Sequence, residues 1–387
     1  TLSPMLQCPR HDLAEEPRAV SRLPAPWRRG VRRSIAAAAL VVGAYGCASP
    51  AAGSTQPATT PSAASPEPEA LPGETTATTT VDKVARIGTY AVGSDNFDVV
   101  DTSRTTDAWG GQNELPERTL PTLVLYPAAD GAGDTSSKTA NDAVEVVHQA
   151  EPQPGPWPLI VFSHGRGGTG PAYVNTLKLW ASAGYVVVVP TFPLTSALSP
   201  GQPKTEDLVN QPADVSFLVD WALAFDADNP LAGMIDPERI GLAGHSLGGF
   251  TSLAAAYNPK LRDDRIGAVA EWAGSYLDVL AEGGPPTEDG PPLLIVHGDA
   301  DETVSYGAAL ATAAAIGPPW GLITLVGGEH IPPYIQGLDD PYSVVVTKGT
   351  LNFFDATLKD DPAGERRLDD LVDKAGPQVA TFVEAKD

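Results

Sequence analysis

The 387-residue chain is 42% apolar and 19% charged, enough for a sizeable buried core in one large domain or two small ones. Its formal net charge of −23, from 25 basic against 48 acidic side chains, argues against nucleic acid or an anionic membrane surface as an electrostatic partner. The two cysteines, Cys8 and Cys47, give no disulfide framework.

Residues 1–46 read as an export signal rather than as fold. A basic cluster of Arg28, Arg29, Arg32 and Arg33 precedes the apolar run IAAAALVVGAYGC, which is shorter than the roughly 20 residues a bilayer span needs. The run ends in Ala44-Tyr45-Gly46-Cys47, which resembles a bacterial lipobox, so lipid attachment at Cys47 and a cell-surface or secreted location are expected; Tyr45 is bulkier than that pattern favours. A start at Val31 would shorten the leader. Residues 47–82 are dominated by Ala, Ser, Thr, Pro and Gly and read as a disordered tether, because such a stretch buries too little apolar surface to offset its ordering entropy. Residues 83–387 are left as a single folded domain, expected to be monomeric.

Within that domain, strands are expected at 119–127, 158–165, 184–192, 239–244, 266–272, 292–298 and 321–328. Most are continuous apolar runs, the pattern of strands buried on both faces of a mostly parallel sheet. An earlier pair near 86–92 and 96–101 is expected at an antiparallel edge. Helical patterns fall near 171–183, 205–227, 246–257, 305–316 and 343–358, and 133–158 reads as a surface insertion. Alternating strand and helix predicts an α/β fold with helices on both faces of the sheet. The loops at 191–204 and 275–292 are too short and too rich in proline and glycine for a large cap domain, so an open cleft is expected.

The chemistry concentrates at GLAGHSLGGF, 241–250, where Ser246 lies between a strand and a helix. Gly244 and Gly248 remove bulk at the positions two before and two after the serine, as a sharp turn that lifts a hydroxyl above the sheet requires. A serine hydroxyl needs a base to take its proton. His11 lies in the leader, His148 in the insertion, His164 and His297 in turns after strands, and His245 beside the serine, pointing away from it. His330, after the last expected strand, remains as the base. An acid is expected in LLIVHGDADETVS, where Asp301 fits best, deeper in the turn than Asp299. Backbone N–H groups of Leu247 and of Arg166, in the glycine-rich loop VFSHGRGGTG, are the expected donors to a developing oxyanion. Trp272, at a strand end, is expected to wall the substrate cleft. This chemistry calls for no metal and no organic cofactor.

With those residues in view, 86–360 resembles the α/β-hydrolases, in particular bacterial platelet-activating-factor acetylhydrolase-like and dienelactone-hydrolase-like proteins, through ERTLPTLVLYPA, PLIVFSHGRGG, IDPERIGLAGHSLGG, LLIVHGDADETV and FFDATLKDD. Cutinase-like polyester hydrolases are similar in layout. The resemblance implies a serine ester hydrolase with Ser246, Asp301 and His330 as triad, in the α/β-hydrolase chain order, and Arg166 and Leu247 at the oxyanion. A polyester hydrolase or an acyltransferase using the same triad is the alternative. The chain departs from dienelactone hydrolases in carrying serine rather than cysteine, and from many polyester hydrolases in having Leu247 after the serine and no cysteine beyond Cys47.

Overall fold

The computed structural model describes residues 88–129, 144–276, 284–287 and 289–386. Among the described residues, ten strands form one sheet in the order β10-β9-β8-β7-β6-β4-β5-β2-β1-β3. Its centre is β4 (Trp157–Ser163), β5 (Val186–Pro190), β6 (Ile235–His245), β7 (Ile266–Trp272), β8 (Leu293–Gly298) and β9 (Trp320–Leu325), all mutually parallel. These are the continuous apolar runs. VVVVP of β5 and LLIVHG of β8 are buried at every position, as strands covered on both faces must be.

Antiparallel strands finish the edges. β2 (Arg118–Ala128) pairs with β5, β1 (Ala91–Asp101) with β2, and β10 (Ala380–Ala385) with β9. The expected pair of short strands at 86–92 and 96–101 is in fact this one strand, β1. Asp95 and Asn96 look like turn residues, yet they sit in an extended edge strand paired with Val124 and Leu123. The described part of the expected insertion contains the short β3 (Val146–His148), parallel to β1; its residues 133–143 lie outside the described set.

Helices cover both faces. On one side α1 (Val174–Ser182), α6 (Pro341–Leu358) and α7 (Gly364–Ala375) bury Leu177, Trp180, Val345, Phe354, Leu368 and Val372 against the sheet. On the other, α2 (Gln211–Leu223), α3 (Leu247–Tyr257) and α4 (Tyr306–Ile316) bury Val215, Leu218, Leu253, Tyr257, Ala309 and Ala313. A short α5 (Pro332–Ile335) follows β9. α7 and β10 were not anticipated: α7 is mostly charged and buries Gly364, Leu368 and Val372 alone, and β10 has the part-exposed pattern of an edge. Every parallel strand sends its C-terminal end toward the same rim, where the loops carrying Arg166, Ser246, Asp301 and His330 meet.

Candidate active site

β6 runs straight into α3 through one residue, Ser246, whose backbone sits at φ 53°, ψ −120°. That region is sparsely populated for a non-glycine residue and costs on the order of 1–3 kcal/mol, so surrounding contacts must enforce it. They do. Ser246 N–H donates to Trp272 C=O at the end of β7 (2.8 Å), and its own carbonyl accepts from Gly249 and Phe250 in the first turn of α3. A Cβ on Gly244 would lie 2.1 Å from Gly248 C=O, and one on Gly248 would lie 1.9 Å from Ser163 C=O. The corner therefore closes only with glycine at both positions.

Ser246 Oγ lies 2.9 Å from His330 Nε2, and His330 Nδ1 lies 2.6 Å from Asp301 Oδ2. Three loops, after β6, β8 and β9, converge to make this row. Asp301 has a fully buried side chain. Its second oxygen, Oδ1, accepts from the N–H groups of Thr303 (2.8 Å) and Val304 (2.9 Å), which fixes the carboxylate. His330 Nδ1–H donates to that carboxylate, so Nε2 is the acceptor that faces the serine hydroxyl. Asp299 is occupied elsewhere: its Oδ1 accepts from Gly327 N–H at 2.6 Å and serves the turn. His297 also approaches Asp301, at 3.5 Å, but its Nε2–H goes to Val304 C=O at 2.8 Å. Burial lowers the pKa of His297 and keeps it from competing as a cation.

The loop after β4 lies alongside the serine: a Cβ on Gly165 would sit 3.3 Å from Ser246 Cβ. Among the described residues, neither Arg166 N–H nor Leu247 N–H has a hydrogen-bond partner, and Leu247 is the first residue of α3. An unpaired N–H at a helix start is a ready donor to developing negative charge. The loop is braced on all sides. Gly167 N–H donates to Thr195 C=O, Gly168 N–H to Gly165 C=O, and Ala197 N–H to Gly168 C=O. The His164 ring accepts from Phe192 N–H at 3.0 Å. Burial pushes His164 down to about 4, so this brace stays neutral. Arg166 itself is exposed and leans on Thr205 Oγ1 and Pro203 C=O.

Trp272 does not wall the cleft. It is fully buried, its ring stacks 5.9 Å from Tyr334 and tilts 5.3 Å from Phe162, and its Nε1–H donates to Thr350 Oγ1 of α6. Alternation along β7 sends this side chain into the α1/α6 layer, where it forms a floor beneath the site. Sequence reasoning also missed residues. His245, set aside as pointing away from the serine, bonds through Nε2 to His330 C=O (2.7 Å) and through Nδ1 to the Tyr173 hydroxyl (2.8 Å). Glu271, one residue before Trp272, is completely buried. Its Oε2 accepts from Gly274 N–H at 2.7 Å and its Oε1 has no partner among the described residues; burial raises its pKa to about 8. A charged residue inside an apolar strand run was the available signal for Glu271; no spacing signal connects Tyr173 to His245. Cys47 and 277–283, within the loop expected to be no lid, lie outside the described residues. Among the described residues no group of His, Cys, Asp and Glu is arranged to hold a metal, and no helix is long and apolar enough to cross a membrane.

A ten-stranded, mostly parallel sheet covered on both faces, with a serine at its strand-to-helix corner, defines the α/β-hydrolase fold. Residues 129–267, which include Ser246, match the family model for chlorophyllase. The fold is similar to that of a ferulic acid esterase from Streptomyces cinnamoneus, at a TM-score of 0.59 and 20% identity, over 78% of this chain and 99% of that one. No curated protein matches the chain.

Proposed function

We propose that the chain is a carboxylic ester hydrolase that works through an acyl-enzyme on Ser246. The observation that carries this reading is the continuous row Ser246 Oγ–His330 Nε2–Asp301 at 2.9 and 2.6 Å, beside two unpaired backbone N–H groups. His330 Nε2 takes the hydroxyl proton as Oγ bonds to the ester carbon. The carbonyl oxygen becomes an oxyanion facing the N–H groups of Leu247 and Arg166; one such donor is worth roughly 2.7–4 kcal/mol in the transition state. The intermediate collapses, the C–O bond to the alcohol breaks, and the His330 imidazolium returns its proton to the leaving oxygen. Water then gives a proton to His330 and attacks the acyl carbon, and the acid departs as Oγ is reprotonated. Asp301 holds the imidazole in the required tautomer and stabilises the imidazolium throughout.

The matches to the chlorophyllase family model and to a ferulic acid esterase support an ester as substrate, so an alkyl ferulate belongs beside p-nitrophenyl esters in a first panel. Ser246→Ala should abolish hydrolysis with an unchanged thermal midpoint, since a single small hydroxyl is lost. His330→Ala should cost several orders of magnitude in kcat, because triad members act as a unit. A His330 variant retaining a tenth of wild-type kcat would remove it from the role of base.

Export belongs to the same reading. The basic cluster, the apolar run and Cys47 support an enzyme held outside the cytoplasmic membrane by lipid on that cysteine, for which two or more chains give stable anchoring. Mass spectrometry of the native N-terminus reads this directly: a diacylated Cys47 is expected, and an unmodified terminus at another cleavage site would make the enzyme freely secreted.

A further inference from the structure

The proposed oxyanion donor and the proposed base come from loops that the sheet keeps apart. Arg166 follows β4 and His330 follows β9, with β6, β7 and β8 between them. Both must nevertheless sit within a fraction of an ångström of their working positions. One chain of hydrogen bonds crosses the gap. Gly165 N–H donates to the Tyr173 hydroxyl oxygen (3.2 Å), that hydroxyl meets His245 Nδ1 (2.8 Å), and His245 Nε2 meets His330 C=O (2.7 Å).

Elementary chemistry sets the direction of each bond. A carbonyl only accepts, so His245 Nε2 carries the hydrogen. In a neutral ring Nδ1 must then accept, and the Tyr173 hydroxyl donates to it while accepting from Gly165. Burial lowers His245 to about 3, so the ring is neutral at any pH where the enzyme would work. Its plane is held as well: Tyr334 stacks on it at 4.8 Å, and Phe162 packs 4.7 Å from Tyr173.

We propose that Tyr173 and His245 are positioning residues which tie the oxyanion loop to the base loop, so that the donor beside Gly165 and the His330 ring are aligned on Ser246 together. The inference rests on the ester-hydrolase reading of this site. It differs from two buried polar groups merely satisfying each other, because removing either residue should loosen both loops.

The test uses the full chain with Tyr173→Phe, His245→Phe and the double variant. Active sites are titrated with a fluorophosphonate, so that kcat is expressed per reactive Ser246. Each single variant should lose about ten- to a hundredfold in kcat, the scale of an ångström-sized misplacement, with KM changed by no more than about twofold. The double variant should be close to the worse single variant, since residues in one network are not additive. Hydrogen exchange should quicken in Tyr173→Phe in both the 164–170 and the 328–332 segments. Multiplying losses, or exchange that rises at 164–170 alone, would overturn the proposal. If the histidine variant does not fold, the tyrosine variant decides alone: its hydroxyl is the only atom removed, and unchanged kcat per site rejects the tie. A wild-type chain that neither reacts with the probe nor hydrolyses esters rejects the function instead, and the exchange experiment still reads the tie.

Discussion

Two aspartates two residues apart illustrate how little separates a turn residue from a proposed catalytic one. Asp299 and Asp301 occupy the same loop; Asp299 accepts one backbone N–H and Asp301 two. Asp301 alone also faces His330 Nδ1. Asp301→Asn would offer an amide where the imidazole needs a carboxylate and would disturb its tautomer, a change worth about 10⁴ in kcat in serine-protease triads. Asp299→Asn keeps an oxygen for Gly327 N–H and should cost less than about tenfold in kcat and under ~1 kcal/mol in stability. Steady-state kinetics and urea midpoints on the pair check this, and a reversed ranking would move the acid to Asp299.

Glu271 gives the residue-scale prediction for pH. Its ordinary pKa of 4.5 applies when the chain is unfolded, and burial raises it to about 8 in the fold. Between those values the folded chain binds the proton and the unfolded chain does not. The contribution of Glu271 to stability is therefore full below about pH 4.5, falls as pH rises toward 8, and flattens above it. Glu271→Gln mimics the protonated acid and should flatten that fall. The difference in urea midpoint between pH 5 and pH 8.5 should shrink in the variant, and an unchanged difference would mean that Glu271 is ionised in the fold.

At the scale of elements, the start of β2 is held to the region before and within α2 by a buried ionic cluster. Arg118 is 1% exposed; its guanidinium spans Asp214 (2.7 Å through Nε and through Nη2) and Asp207 (2.7 Å). Arg118→Ala would leave Asp207 buried without its cation and Asp214 with only Arg104, at 2.8 Å, and should cost about 3–5 kcal/mol. A loss below about 1 kcal/mol, the range of an exposed pair, would mean that the cluster is open to solvent.

What was legible at this scale follows from patterning. The central strands announce themselves as unbroken apolar runs, and the Gly-x-Ser-x-Gly corner by its steric demand. β10 and α7 are quieter because an edge strand and a charged outer helix bury few residues. β1 was read as two pieces because Asp95 and Asn96 have turn chemistry, which pairing with β2 overrides. Trp272 was misplaced for a subtler reason. Composition locates a side chain at a strand end but not on which face of the sheet it falls, and one position of register decides between cleft and floor. The proposed triad was readable from residue type and chain order; the Tyr173–His245 tie was not, because it joins residues 72 apart through tertiary contacts alone.

At the scale of the molecule, access to Ser246 depends on what lies over the rim. The 191–204 loop is tied to the loop after β4 through Thr195 and Ala197, and Trp109 Nε1–H donates to Gln202 C=O at 2.7 Å. A segment so bound is a fixed wall rather than a cover that swings aside. Ile331, directly after His330, is 52% exposed and offers apolar surface beside the proposed triad. Hydrolysis of tributyrin should accordingly rise smoothly through its solubility limit; a sharp jump there would reveal a lid.

The most direct measurement is the fate of Ser246 itself. Mixing the enzyme with p-nitrophenyl acetate and quenching within the first turnovers should give an acetyl adduct on the peptide that carries Ser246, and a p-nitrophenolate burst that scales with enzyme concentration. The adduct should be absent from Ser246→Ala and should form far more slowly in His330→Ala. Ester hydrolysis that persists in Ser246→Ala, or an acyl group found on another residue, would contradict the account.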